Sequence, residues 1–160
     1  MSVQSPLASD HQLARLLQIG VVLEEVVEAR AAKHASESED IGGEVQTLLE
    51  AAVVESADHR DRLEGLVDEL DAETVGFAEI ERLVEKQYEA EEAFDGVLYD
   101  QLCNEETAYK FYDDLIGAIE GSNARFSVDR DRLLRILREV RADEAEGVEA
   151  VTDLMERGQR

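Results

Sequence analysis

The stretch VLYDQLCNEETAYKFYDDLIGAIE GSNARFS VDRDRLLRILREVRADEAEGVEAVTDLM, residues 97–155, decides the architecture. Before the Gly121 loop, Leu98, Leu102, Tyr109, Tyr112, Ile116 and Ile119 recur at threes and fours, and Leu133, Leu137, Val140, Val151 and Leu154 do so after it. That period belongs to α-helices. Two long helices joined by a short polar loop must lie antiparallel, and Ser127 is the expected cap of the second. The first half of the chain repeats the arrangement. One helix is expected from Asp10, as its N-cap, to about Ser36, and another from about Glu44 to Leu70, across the polar loop Ser36–Gly43. Phe77–Phe94, between the hairpins, is expected to be helical as well. No segment sustains a period of two, so no strands are expected. The reading is an all-α four-helix bundle of two antiparallel hairpins with a helical crossover. Residues 10–157 form the domain, and residues 1–9, with Pro6, a flexible tail.

The chain has 160 residues, with 39 Asp+Glu against 16 Lys+Arg and a formal net charge of −23. Its hydrophobic fraction of 44% is enough for a core, so the charge does not imply disorder. The charge excludes nucleic acid, whose phosphates need a Lys/Arg footprint, and anionic lipid surfaces. Self-repulsion on this scale destabilises a compact fold in dilute buffer, whereas molar salt shortens the Debye length to about 3 Å. Many carboxylates, three lysines (Lys33, Lys86, Lys110) and few aromatics resemble the haloarchaeal style of a salt-rich cytoplasm. Cys103 is the single cysteine, so no intrachain disulfide or Cys-x-x-Cys knuckle can form. The start MSVQSPLASD lacks the basic and apolar regions of a signal peptide, and no apolar run approaches the roughly 20 residues of a membrane span. The expected location is cytoplasmic.

With so many acids, the informative ones fall on apolar stripes, where a carboxylate is costly unless paired, protonated or metal-bound. Glu105 interrupts the stripe of the third bundle helix and Glu144 that of the last, at similar distances from the Gly121 loop. In the first helix Leu17, Val21, Glu24, Glu28, Ala31 and Ala35 share a face with Glu25 beside it; Glu25 and Glu28 compete for one role. In the second helix His59 lies on the stripe, with Glu55 one turn earlier at i, i−4. Each helix therefore brings an acid inward at about one height. His59 reads either as a metal ligand or as a core histidine bonded to Glu55 or Glu105. Tyr109 and Tyr112 are expected as core aromatics whose hydroxyls bond these carboxylates, Cys103 as a small core residue, and His11 and His34 as surface or interface residues.

The segment Glu105-Glu-Thr-Ala108-Tyr-Lys-Phe111-Tyr112 resembles the E-x-x-A-x-x-F-Y helix of the ferritin-like superfamily, the rubrerythrin branch most of all. Glu28-Ala-Arg-Ala31-Ala-Lys-His34-Ala35 is a weaker copy. Glu55-Ser-Ala-Asp-His59 and Asp143-Glu144-Ala-Glu-Gly147 look like its E-x-x-H helices. The resemblance implies iron, as one or two ions, held by residues from Glu25, Glu28, Glu55, His59, Glu105 and Glu144, and oxidation of Fe(II) by oxygen or peroxide with an external electron donor. The chain departs from the pattern at two places. Ser56 stands three residues before His59, and Gly147 stands where a second histidine is expected, so at most one imidazole is available. These departures motivate an alternative, a non-catalytic scaffold or interaction subunit with a degenerate site. Ile19, Val22, Leu23 and Val26, outside the inner stripe of the first helix, suggest a second buried face and a homo-oligomer formed through it.

Overall fold

The computed structural model describes residues 7–37, 42–74, 78, 79, 82 and 96–158. Four long helices are found among them: α1 (Asp10–Glu37), α2 (Gly43–Glu69), α3 (Val97–Glu120) and α4 (Arg130–Gly158), with no strand. At about 1.5 Å per residue each is roughly 40 Å long. The pairs α1–α2 and α3–α4 pack as hairpins, and the hairpins meet through α1 against α3 and α2 against α4. The four-helix bundle expected from the sequence is present.

Contacts at the helix ends fix the directions. The Leu7 N–H reaches the Ala118 carbonyl, so α1 starts where α3 ends. Arg132 at the start of α4 holds Glu69 at the end of α2, and Arg157 near the far end of α4 pairs with Glu44 near the start of α2. Arg30 near the end of α1 bonds Asp100 near the start of α3. The end of α2 and the start of α3 thus lie at opposite ends of the bundle. Most of the helix expected over 77–94 lies outside the described residues.

The core forms two apolar clusters. The larger, around Leu13, Leu17, Leu63, Leu66, Leu115, Ile119, Leu133 and Leu137, fills the end near Asp10. A smaller one, around Ala31, Leu49 and Ala52, fills the other. Each fully buried leucine contributes roughly 1.5–3 kcal/mol, so the larger cluster dominates the stability of the bundle. Gly20 faces the Leu63 and Phe111 side chains, where a Cβ would stand 3.1 and 3.3 Å from them; its missing side chain lets α1 approach closely. Around the outside, arginines tie helix to helix: Arg62 to Glu139, Arg138 to Glu120 and Arg141 to Asp113. Exposed pairs of this kind are worth about 0–1 kcal/mol each, so they trim the register more than they drive folding.

Several local expectations change. Ser9, and not Asp10, caps α1, its Oγ accepting the Gln12 N–H at 3.3 Å. Asp129, and not Ser127, caps α4, accepting the Arg132 N–H at 3.0 Å. Asp10 and Ser127 instead bond each other, and Asp10 also accepts the Asp71 N–H at 3.1 Å and the Ser127 N–H at 3.0 Å. One carboxylate thereby joins the starts of α1 and α4 to the end of α2. Of the expected tail, residues 1–6 lie outside the described residues, while Leu7 is buried in the core and its carbonyl accepts the Ser122 hydroxyl. Tyr109 is 38% exposed, so it is not a core aromatic: the inward face of α3 runs through Gln101, Glu105, Ala108, Tyr112 and Leu115, which turns Tyr109 outward. Cys103 is half-buried. His11 is exposed, whereas His34 bonds the buried Asp100 at 2.8 Å. On α1, Val26 is buried within the single chain, and Ile19 and Leu23 pack against the larger cluster. Among the described residues no helix is long and apolar enough to cross a membrane.

Replacing Asp10 tests the three-way junction. Burial pushes its carboxyl up, but the bonds from Ser127 and Asp71 outweigh this and leave its pKa lowered. Its stabilisation is therefore present above the ordinary aspartate range and lost as pH falls through the lowered value. Asp10→Ala is expected to cost about 1 kcal/mol at neutral pH, read as a fall in the denaturation midpoint that vanishes in strong acid.

Candidate metal centre

Between the two apolar clusters lies a polar layer to which every helix contributes. Glu24 comes from α1, His59 from α2, Glu105 from α3 and Glu144 from α4, and each is 4% exposed or less. Periodicity explains their positions. Glu24 follows Leu17 and Val21 on the inner stripe of α1, His59 precedes Leu63 and Leu66 on α2, and Glu144 follows Leu137 and Val140 on α4.

The imidazole of His59 is the centre of the layer. Its Nδ1 is 3.3 Å from Glu24 Oε1 and 3.2 Å from Glu144 Oε1, yet it makes a well-directed hydrogen bond to neither. Its Nε2 is 2.9 Å from Asp143 Oδ2, and Asp143 is 38% exposed. A neutral imidazole carries one N–H and one lone pair. In the protonated ring both nitrogens carry N–H; in the neutral ring, with the N–H given to Asp143, a lone pair at Nδ1 would face Glu24 and Glu144. A carboxylate that orients an imidazole in this way is the usual support of a metal-binding histidine. The Tyr112 hydroxyl donates to Glu24 Oε1 at 2.7 Å, leaving the buried Oε2 without a partner. Two orphaned buried atoms, His59 Nδ1 and Glu24 Oε2, thus belong to one group. Single ligand atoms of Glu24, His59 and Glu144 lie within 4.8 Å of one another, as do those of Glu55, His59 and Asp143 on the other side of the ring.

Glu105 extends the layer. Gln101 donates to its Oε1 at 2.8 Å, and its carboxylate lies close enough to Glu144 to push that carboxyl up. It lies directly over Gly147: a Cβ built there would stand 2.6 Å from the Glu105 Cδ and Oε2. The Glu105 carboxylate occupies the space a side chain at 147 would need.

The charges follow from this crowding. Burial alone would favour neutral His59, but the Glu144 and Glu24 oxygens beside Nδ1, with Asp143 at Nε2, outweigh it and raise the imidazole to about 11. Burial first, and then Glu105 and Glu24, push Glu144 well above the usual carboxylate range against the pull of His59. Glu55 is lifted to about 7 by burial, with His59 opposing and Glu105, Asp143 and Glu24 assisting. Without a metal, protons hold the layer together. A divalent ion would take their place, since ligands must be deprotonated to bind it.

Of the residues expected from the sequence, the structure brings together His59, Glu105 and Glu144, with Glu55 on the Nε2 side of the ring. Glu25 and Glu28 are not in the layer: both pair with Arg60 on the flank, Glu25 at 3.0 Å. Glu24, whose place on the stripe was legible, supplies the acid of α1. Asp143 was passed over because it stands one residue off the stripe of α4. Comparisons of the chain with protein-family models, curated proteins and solved structures find no match.

Two measurements check this geometry. His59 is stabilising while protonated, fully so below its unfolded value of 6.5, and the effect is lost as pH rises through about 11. Glu55 and Glu144, raised acids, weaken the fold as pH rises above the ordinary glutamate value of 4.5, Glu55 completely by about 7 and Glu144 only in the alkaline range. Stability of the metal-free protein is therefore expected to fall from neutral into alkaline pH, as read by urea denaturation; a flat profile contradicts the buried cluster. Secondly, Gly65→Ala, at an exposed helical site with nothing within 4 Å, is expected to raise stability by about 0.5–1 kcal/mol. Gly147→Ala offers the same propensity gain but displaces Glu105 from Gln101 and Glu144, and is expected to yield no increase.

Proposed function

We propose that the chain is a ferritin-like bundle that binds iron in its polar layer, with Glu24, His59 Nδ1 and Glu144 as ligands and Glu105 close beside them. The observation that carries this reading is the pair of orphaned buried atoms, His59 Nδ1 and Glu24 Oε2, in a group whose other members are anionic or can become so. One imidazole and carboxylates suit a divalent first-row ion, whereas a soft ion would demand thiolates. A polar layer of this kind is also costly compared with leucines of similar volume, so stability alone does not account for it.

The donor set fits one ion best. A pair of ions would rest on carboxylates alone at the second position, drawn from Glu105, Glu55 and Asp143. Iron bound here would supply a one-electron couple for reaction with oxygen or peroxide. The chain's own contribution is positional. Asp143 orients the imidazole, Tyr112 holds Glu24 in place and stays protonated because burial and Glu24 raise its pKa, and the apolar clusters on either side exclude bulk water. An external electron donor would complete a catalytic cycle.

A second reading is favoured by the raised pKa of His59: an imidazolium among carboxylates is a self-compensated ion cluster, fitting a scaffold subunit without metal. Anaerobic Fe(II) titration in molar KCl separates the two. Binding of about one ion per chain, with release of roughly one to two protons and affinity rising with pH, is expected of the metal site. His59→Ala and Glu24→Gln are each expected to weaken binding by roughly tenfold or more, while Glu25→Gln and Glu28→Gln leave it unchanged. Less than about half an equivalent bound at tens of micromolar iron sinks the metal reading. Admitting air to the loaded protein then tests oxidation, read as a ferric absorption band.

A further inference from the structure

Near the smaller apolar cluster α2 and α4 part, leaving a groove of about 660 Å³. Ala51 and Ala52 on α2 and Gly147 and Ala150 on α4 line it, with Leu48 and Leu154 beside them and Arg157, paired to Glu44, at one end. Acids line it from outside inward, with Glu44 and Asp153 toward the rim and Glu55, Asp143 and Glu105 among its lining residues. Glu105 and Asp143 also touch the buried layer, Glu105 through Glu144 and Asp143 through His59 Nε2. Past them lie His59 Nδ1 and Glu24 Oε2, two buried atoms that make no hydrogen bond. Glu105 can stand between groove and layer because residue 147 has no side chain: its carboxylate occupies the site of the missing Cβ. A second groove, of about 950 Å³ and lined by Ile19, Leu23, Tyr109, Phe111 and Val148, includes no member of the layer.

We propose that the α2–α4 groove is the route by which a divalent cation reaches the buried layer, and that the Glu105 carboxylate, lying over Gly147, passes the ion from the groove to Glu144, Glu24 and His59. This rests on the metal-binding reading above. A dehydrating cation needs oxygen donors along its path, and Glu55, Asp143 and Glu105 supply them in sequence from half-buried to buried. Glu105 holds the ion only in transit in this scheme: it acts on the rate at which the site fills and empties, and the three ligands set the affinity.

The test is stopped-flow uptake of Co(II), followed by its visible absorption, with release measured by mixing the loaded protein with excess chelator. Ala150→Trp and Ala51→Trp obstruct the groove from opposite walls at exposed positions, so one remains informative if the other fails to fold. Each is expected to slow uptake and release by the same factor, roughly tenfold or more, with the equilibrium affinity and the spectrum of bound cobalt unchanged. Glu105→Gln is expected to slow both rates likewise and to leave the spectrum in place. Thr107→Trp, which fills the second groove, is expected to change nothing. Unaltered rates in both obstructed variants overturn the route while the metal site stands. Loss of affinity and spectrum in Glu105→Gln makes Glu105 a ligand and overturns its carrier role. Wild-type protein that binds no cobalt overturns the route and the metal reading together.

Discussion

A fully buried imidazole with carboxylates at both of its nitrogens is the constraint around which this bundle is organised. Removing His59 from water is unfavourable, and removing Glu24 and Glu144 is more so. The arrangement survives because a positive centre, proton or metal, sits among the negative ones. That requirement fixes the rotation of all four helices at one level. It also fixes small details: a glycine at 147 to admit Glu105, a glutamine at 101 to bond it, and a tyrosine at 112 to hold Glu24.

The remainder of the molecule makes the costly layer tolerable. The larger apolar cluster, with leucines from all four helices, supplies stabilisation that does not depend on the layer. The smaller cluster has few members, Ala31, Leu49 and Ala52, and α2 and α4 leave a groove beside it. A bundle packed with leucines at both ends would be more stable and would close that groove. The surface charge plays a different part. Among the described residues most of the carboxylates are solvated, and several arginines bridge neighbouring helices. Such pairs are individually weak, and salt weakens the repulsion they offset as well as the attraction they provide.

At Gly147 of α4 a carboxylate reaches across from α3 and fills the space a side chain would take. A metal bound in the layer, as proposed, would meet one nitrogen donor and a surplus of oxygen donors, a set that suits a hard or borderline divalent ion and binds more tightly as pH rises. The Nε2–Asp143 contact orients the ring, so that Nδ1 is the nitrogen that faces Glu24 and Glu144.

Much of the fold was legible in the sequence because helical period, polar loops and segment length are local properties: α3 spans the residues expected, and the hairpins follow from short connections. The level of the buried acids was legible too, since residues at equal distances from a loop face each other in antiparallel helices. Rotation was not. One residue step turns a side chain by about 100° around the helix axis, and α1 carries apolar residues on both sides of Glu24, Glu25 and Glu28. Periodicity therefore admits any of the three, and only the partner helix decides. Arg60 of α2 draws Glu25 and Glu28 to the flank, while Tyr112 and His59 receive Glu24. The same one-step ambiguity separates Tyr109 from Ala108 and hides Asp143 beside Glu144. The sequence by itself determined which segments are helices and which acids stand at the central level. Tertiary packing alone decided which of those acids meet, because that depends on neighbours tens of residues away in the chain.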